Sequence, residues 1–141
     1  MEPLTVPGTL DSLATIGQYV LNAATAAGLA KKAAYNLRLA VDEIATNVIT
    51  HGYEEANCEG VLDLRAVIDD TTLTIFLEDT GAAYVPDQAL RQTELNRPLE
   101  ERPIGGLGVY LATQGVDQFR YERLGDQNRH TFVVSRPTTQ E

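Results

Sequence analysis

Two pairs of short alternating segments, each pair joined by turn residues, limit the folds open to this 141-residue chain. The pairs are Gly60 to Ile68 with Leu73 to Leu77, and Gln118 to Leu124 with Arg129 to Ser135. The first pair flanks Asp69-Asp70-Thr71 and the second flanks Gly125-Asp126-Gln127-Asn128. Alternation of apolar and polar residues around such turns predicts two antiparallel β-hairpins.

Helical periodicity marks two segments before these hairpins. Leu10 to Ala27 repeats apolar residues at helical spacing and stops at Gly28, and Ala30 to Thr50 does the same before Gly52. A glycine-rich segment at 104–108 opens a further helix that ends near Gly115. The order α-α-β-β-loop-α-β-β predicts an α+β two-layer sandwich, with a mostly antiparallel sheet and its helices on one face. Residues 1–141 are expected to form a single domain.

The charge balance excludes some partners. Eleven Lys and Arg against twenty Asp and Glu give a net charge of -9, which argues against nonspecific binding to nucleic acid or to an anionic membrane. The chain shows no leader pattern and no apolar run long enough to span a bilayer. Cys58 is the only cysteine, so no internal disulfide is available. Together these features predict a cytoplasmic protein without nucleic acid or membrane partners.

The second helix carries two polar residues at a spacing that could place them together in a functional site. Glu43 and Asn47 are one turn apart, about 40° from each other on a helical wheel, at the shoulder of the apolar stripe. A helix shoulder can border a cleft, where a carboxylate and an amide could act together. The alternative is an ordinary solvated flank of a core helix.

Two other segments could belong to the same cleft. Asp79-Thr80-Gly81 follows a strand directly, so the Asp79 carboxylate could point into a pocket while the chain turns under it. Gly105, Gly106 and Gly108 precede a helix, where exposed backbone N–H groups and the helix dipole can hold phosphate oxygens. The alternatives are a common loop and a flexible hinge.

Other nucleotide and hydrolytic chemistries do not fit this sequence. It contains neither a P-loop motif nor G-x-S-x-G, and its G-x-G-x-x-G match fails because Leu111 occupies the third glycine position. With two histidines and one cysteine, it also offers no zinc-type ligand spacing.

Taken in order, these motifs resemble those of the histidine-kinase-like (GHKL) ATPase superfamily, and within it the small anti-sigma-factor serine/threonine kinases. Glu43-Ile-Ala-Thr-Asn47, followed by His51-Gly52-Tyr53, resembles the N box of that group. The first glycine box is similar to the segment from Asp79 to Pro86, and the second to the segment from Glu101 to Leu111. Gly125 to Thr131 resembles the terminal G-x-N-x-x-T segment. Ala83 departs from many superfamily members, which have a second glycine there.

The resemblance implies ATP and Mg²⁺ as cofactors and a role for each motif. Asp79 would accept a hydrogen bond from the adenine amino group, Asn47 would be the Mg²⁺ ligand, and Glu43 would be the general base for the attacking hydroxyl. The other residues expected at the nucleotide are Gly81, Gly105, Gly106, Gly108 and Thr131.

The function that the resemblance implies is a partner-switching protein kinase. Such a kinase phosphorylates a serine or threonine of a small STAS-domain anti-anti-sigma protein and binds a sigma factor in competition with it. The family often dimerises through its N-terminal helical region, which allows a homodimer here. Two alternatives stay open: a nucleotide-dependent anti-sigma or adaptor protein with little or no kinase activity, and an ATPase without a protein substrate.

Overall fold

The computed structural model describes residues 1–55, 57–81 and 115–137. The helical elements within these ranges are a 3₁₀ turn at Leu10–Ser12, α1 at Leu13–Ala26, α2 at Lys31–Asn47 and a π-helical turn at Val48–Glu54. The strands are β1 at Leu4–Pro7, β2 at Val61–Ile68, β3 at Thr72–Asp79, β4 at Gln118–Leu124 and β5 at Gln127–Ser135. None of the helices in these ranges is both long and apolar enough to cross a lipid bilayer.

The strands form one antiparallel sheet. Over the described ranges its order is β1-β2-β3-β5-β4, and every neighbouring pair is antiparallel. The two predicted hairpins, β2-β3 and β4-β5, are confirmed. The carboxylate of Asp69 stabilises the first turn, because it accepts hydrogen bonds from the backbone N–H groups of Thr71 and Thr72.

Both helices cover one face of the sheet. Residues that alternate along β2, β3 and β5 turn inward and pack with α1 and α2 in one core cluster. The largest fully buried apolar side chains include Ile16, Leu37, Ile44, Leu64, Ile75 and Phe132. This arrangement confirms the predicted α+β two-layer sandwich.

Strand β1 is absent from the sequence prediction. It is only four residues long and ends at Pro7, and it pairs with β2 through Leu4 opposite Leu64 and Val6 opposite Leu62. A strand this short has too little alternation to be recognised locally, and proline is tolerated because the strand lies at the sheet edge.

Two helix boundaries differ from the prediction. The first helix begins at Leu13 because Leu10–Ser12 forms a 3₁₀ turn. The second does not stop before Gly52 as predicted, because the chain continues beyond Asn47 in π-helical geometry as far as Glu54. The end predicted at Gly28 is confirmed: its φ is 78°, and the next N–H bonds back to Ala24 O at 3.0 Å. The predicted helix that opens at residues 104–108 lies outside the described ranges.

Candidate functional site

Asp79 is the last residue of β3, and its side chain is buried at the carboxyl end of that strand. It is 2% exposed and lies opposite Asn128 of β5 in the sheet register. Its Oδ1 atom accepts hydrogen bonds from the backbone N–H of Gly81 and from Nδ2 of Asn128, both at 2.8 Å. These two bonds fix the plane of the carboxylate.

The second oxygen of this carboxylate has no hydrogen-bond partner within the described ranges. Asp79 Oδ2 is buried and faces Nε2 of His130 at 3.6 Å, which is too long for a hydrogen bond. Leaving a buried acceptor unpaired costs roughly 1–3 kcal/mol. The end of β3 therefore holds an oriented acceptor that a ligand N–H group could satisfy.

Asn128 is the support for this carboxylate. Its Nδ2 also contacts the carbonyl of Gly81 at 3.2 Å, while its Oδ1 accepts from the Tyr121 hydroxyl and from Nη1 of Arg123. The same Arg123 nitrogen donates to the Gly81 carbonyl at 3.0 Å. The turn after Asp79 is thus tied to both strands of the second hairpin.

Asn128 and His130 are not among the site residues predicted from the sequence. The predicted turn covered four residues, Gly125 to Asn128. In the structure the turn has only two residues, because Leu124 pairs with Gln127 and β5 begins at Gln127. Gly125 adopts a φ of 67°, which favours glycine. The asparagine of the G-x-N-x-x-T segment was the signal that could have identified Asn128.

Gly81 connects this strand end to the helical layer. A Cβ atom on Gly81 would lie 2.8 Å from the carbonyl oxygen of Gly52 and 3.2 Å from Asp79 Oδ1. Gly81 therefore packs directly against the π-helical turn that continues α2. This close approach explains why the sequence has glycine at position 81.

Tyr53 also stabilises the junction between the π-helical turn and the end of β3. Its hydroxyl donates to the carbonyl of Val61 at 2.7 Å and accepts from the N–H of Thr80 at 3.1 Å. Its ring lies where side chains on Gly8 and Gly60 would otherwise be, since Cβ atoms there would come within 2.5 Å and 2.8 Å of it. Burial raises the pKa of the Tyr53 hydroxyl, which therefore remains a donor at neutral pH.

We expect Gly81→Ala to lower the melting temperature and to weaken ligand binding, because the added methyl group contacts backbone that cannot move independently. The cost should be about 1–3 kcal/mol. Thermal unfolding measures the first effect. Gly17→Ala on α1 is the matched control, since its Cβ meets only the end of the Arg38 side chain. Equal melting temperatures for Gly81→Ala and wild type would contradict this tight contact.

Glu43 and Asn47 lie on the last turns of α2, just before the π-helical turn. Asn47 is 7% exposed, and its Nδ2 donates to the backbone carbonyl of Glu43 at 2.9 Å. Because a carbonyl can only accept, the nitrogen must face the helix, and Oδ1 is left for another partner. Glu43 is half-buried, and its pKa is raised by that burial and further by the negative charge of Asp42.

Thr131, another predicted site residue, lies on a different face of the sheet from Asp79. Thr131 is buried opposite Phe76, and both residues face the side of the sheet away from Asp79, Asn128 and His130. Gly105, Gly106 and Gly108 lie outside the described ranges. No group of three or more His, Cys, Asp or Glu residues in those ranges could hold a metal ion.

Comparison with known proteins gives consistent matches. The family model described as the histidine kinase-like ATPase domain matches residues 6–134. A serine-protein kinase RsbW from Bacillus cereus is 25% identical over 118 residues, which cover 82% of this chain and 72% of that protein. An anti-sigma F factor from Clostridium acetobutylicum is 35% identical over 100 residues, which cover 70% of this chain and 66% of that protein.

Solved structures share the fold. The histidine kinase domain of a blue-light activated histidine kinase from Erythrobacter litoralis aligns with a TM-score of 0.55 and 19% identity. The alignment covers 86% of this chain and 58% of that domain structure, so the chain spans little more than half of it. A second structure, of the blue-light activated kinase itself, aligns with a TM-score of 0.54 over 40% of its length.

Proposed function

Because the chain belongs to the histidine kinase-like ATPase family, we propose that it is an ATP- and Mg²⁺-dependent protein serine/threonine kinase. Its substrate would be a small STAS-domain anti-anti-sigma protein, and a sigma factor would compete for the same kinase. The names of the relatives, a serine-protein kinase and an anti-sigma F factor, support both halves of this proposal. A homodimer and a cytoplasmic location remain predictions from the sequence.

The observation that carries the proposal is the unpaired oxygen of Asp79. Oδ1 is already used by Gly81 and Asn128, so Oδ2 alone is available, and it is buried. An adenine amino group is a neutral N–H donor that would satisfy it. The residues present are compatible with ATP, because Asp79 offers a buried acceptor for an N–H donor such as the 6-amino group of adenine.

The chain's own groups suggest how transfer would proceed. The Glu43 carboxylate would take the proton of the substrate serine or threonine hydroxyl, whose oxygen then bonds to the γ-phosphorus while the bond to ADP breaks. The raised pKa of Glu43 suits a base that must accept a proton near neutral pH. Asn47 Oδ1 would hold Mg²⁺, which neutralises phosphate charge when bound.

The rival function is a nucleotide-dependent anti-sigma or adaptor protein without significant transfer. The position of Glu43 favours the kinase, because binding ATP requires no half-buried carboxylate beside Asn47. Incubation with γ-labelled ATP, Mg²⁺ and the STAS-domain proteins of the same cell distinguishes the two. A labelled STAS protein supports the kinase, whereas ATP-dependent binding to a STAS protein without labelling supports the adaptor.

We expect Asp79→Asn to weaken ATP binding by about 1–3 kcal/mol without disturbing the fold. The amide oxygen can keep both bonds now made by Oδ1, which places the NH₂ group where Oδ2 lies. That group would then face the adenine amino group donor to donor. Calorimetric titration with ATP measures the loss, and Asp70→Asn in the exposed β2-β3 turn is the matched control. Unchanged ATP affinity in Asp79→Asn would remove Asp79 from the nucleotide site.

A further inference from the structure

His130 is a buried residue for which the proposed mechanism has no role. It is 1% exposed, and neither ring nitrogen has a hydrogen-bond partner in the described part of the chain. Its Nε2 faces Asp79 Oδ2 at 3.6 Å, and that oxygen is unpaired as well. Two unpaired polar atoms thus lie side by side at the point where the adenine of ATP is proposed to bind.

Neither group can easily turn to another partner. The other oxygen of Asp79 is tied by two hydrogen bonds. The His130 ring packs against two aromatic side chains of β4, with centroid distances of 5.2 Å to Tyr121 and 6.2 Å to Phe119. The pair is therefore preorganised, which lowers the cost of binding a ligand that satisfies both atoms.

The chemical character of the pair follows from its geometry. Asp79 Oδ2 is an acceptor, and a lone pair on Nε2 directed at it would be repelled. The favoured tautomer of neutral His130 therefore has its proton on Nε2, which makes this atom a donor. The site presents a donor beside an acceptor, at a separation that is too long for them to satisfy each other.

We propose that His130 is a second base-contacting residue, whose Nε2–H donates to ring nitrogen N1 of adenine while Asp79 Oδ2 accepts from the 6-amino group. This inference rests on the proposed ATP-binding function and adds the residue that reads the other half of the same edge. Guanine in the same orientation would place its 6-oxygen against the carboxylate and its N1–H against the imidazole N–H. A buried site rejects such a mismatched edge, because both protein groups stay unpaired.

Nucleotide analogues test the contact without any change in the protein. Calorimetry with Mg²⁺ would compare ATP, 1-deaza-ATP, in which N1 is replaced by C–H, and purine riboside triphosphate, which lacks the 6-amino group. Wild type should bind 1-deaza-ATP roughly threefold to tenfold more weakly than ATP, as expected for one lost hydrogen bond. Equal affinity of wild type for ATP and 1-deaza-ATP would overturn the proposal, whether or not any variant folds.

Variants of His130, combined with the same nucleotide analogues, test whether His130 is the residue that contacts N1. His130→Leu should bind ATP and 1-deaza-ATP equally, and it should still discriminate against purine riboside triphosphate through Asp79. His130→Gln keeps a donor and should recover part of the preference for ATP over 1-deaza-ATP. A preference in His130→Leu as large as in wild type would assign N1 to another residue and overturn the proposal.

The outcomes separate this inference from the function on which it rests. Wild type that binds no ATP contradicts the proposed function and, with it, the contact. Wild type that binds ATP but ignores the loss of N1 contradicts only the role of His130. A ¹⁵N spectrum of the histidine rings supplies an independent readout, because the Nε2 resonance of His130 should move on addition of ATP and move less with 1-deaza-ATP.

Discussion

Glu43→Gln is expected to lower the rate of phosphate transfer to a STAS-domain substrate by on the order of 10²-fold or more. Glutamine keeps the size of the side chain and its position on α2 but cannot accept the hydroxyl proton. ATP affinity should change little, because Asp79 and Asn47 are unaltered. Single-turnover transfer of labelled phosphate, with ATP binding measured in parallel, checks both statements. Transfer at the wild-type rate by Glu43→Gln would show that another group is the base.

The stability of the same variant provides its control. Since burial raises the pKa of Glu43, its charged form is less favourable in the folded protein than in the unfolded chain. The contribution of protonated Glu43 to the stability of the folded protein is complete at low pH, and it is lost as the pH rises past the folded-state pKa of Glu43. At neutral pH, Glu43→Gln should therefore melt no lower than wild type, so that a loss of transfer reflects chemistry and not unfolding.

The pH dependence of transfer should follow from the neighbouring charge. The base must be deprotonated, so the rate of wild type should fall on the acid side at a higher pH than an ordinary glutamate would give. Asp42→Asn removes a like charge that contributes to the raised pKa of Glu43. In that variant the acid limb of the rate profile should move to lower pH, whereas an unmoved limb would assign the titration to another group.

Features encoded by local sequence were predicted correctly. The two hairpins follow from alternation around turn residues, and the end of α1 follows from Gly28, so the two-layer arrangement could be assigned. Strand β1 was missed because its four residues gain their identity only by pairing with Leu62 and Leu64, which are distant in sequence. The π-helical turn has no local signature in the sequence, so it was not predicted.

The candidate site residues depend on local sequence to different degrees. Asp79 and Gly81 could be proposed from the sequence because the D-x-G motif is contiguous, whereas the hydrogen bond from Asn128 to Asp79 is visible only in the structure. Strand register decides which residues of β5 share the face of Asp79. The turn before β5 is shorter than predicted, and this changes the register. Side chains alternate between faces, so Thr131, which the sequence predicts at the nucleotide, lies on the opposite side of the sheet from Asp79, whereas its neighbour His130 shares the face of Asp79.

Asn47 is the residue at which the proposed metal site can be tested separately from the base. Its amide nitrogen is held by the Glu43 carbonyl, so only Oδ1 faces away from the helix. Mg²⁺ takes oxygen ligands and retains waters and phosphate oxygens around it, so one protein oxygen is sufficient. Removing that oxygen should affect both the binding of Mg-ATP and the transfer step, unlike the loss of the base.

We expect Asn47→Ala to abolish the strengthening of ATP binding by Mg²⁺ and to reduce transfer at least as much as Glu43→Gln, on the order of 10²-fold or more. Titration of ATP with and without Mg²⁺ measures the first effect. Alanine is a better helix former than asparagine, so α2 should persist, and Asn36→Ala on the same helix is the matched control. Asn47→Asp restores an oxygen ligand and should recover part of the Mg²⁺ dependence. If Asn47→Ala responds to Mg²⁺ as wild type does, the metal is held elsewhere, and the pairing of metal ligand and base on one helical turn is wrong.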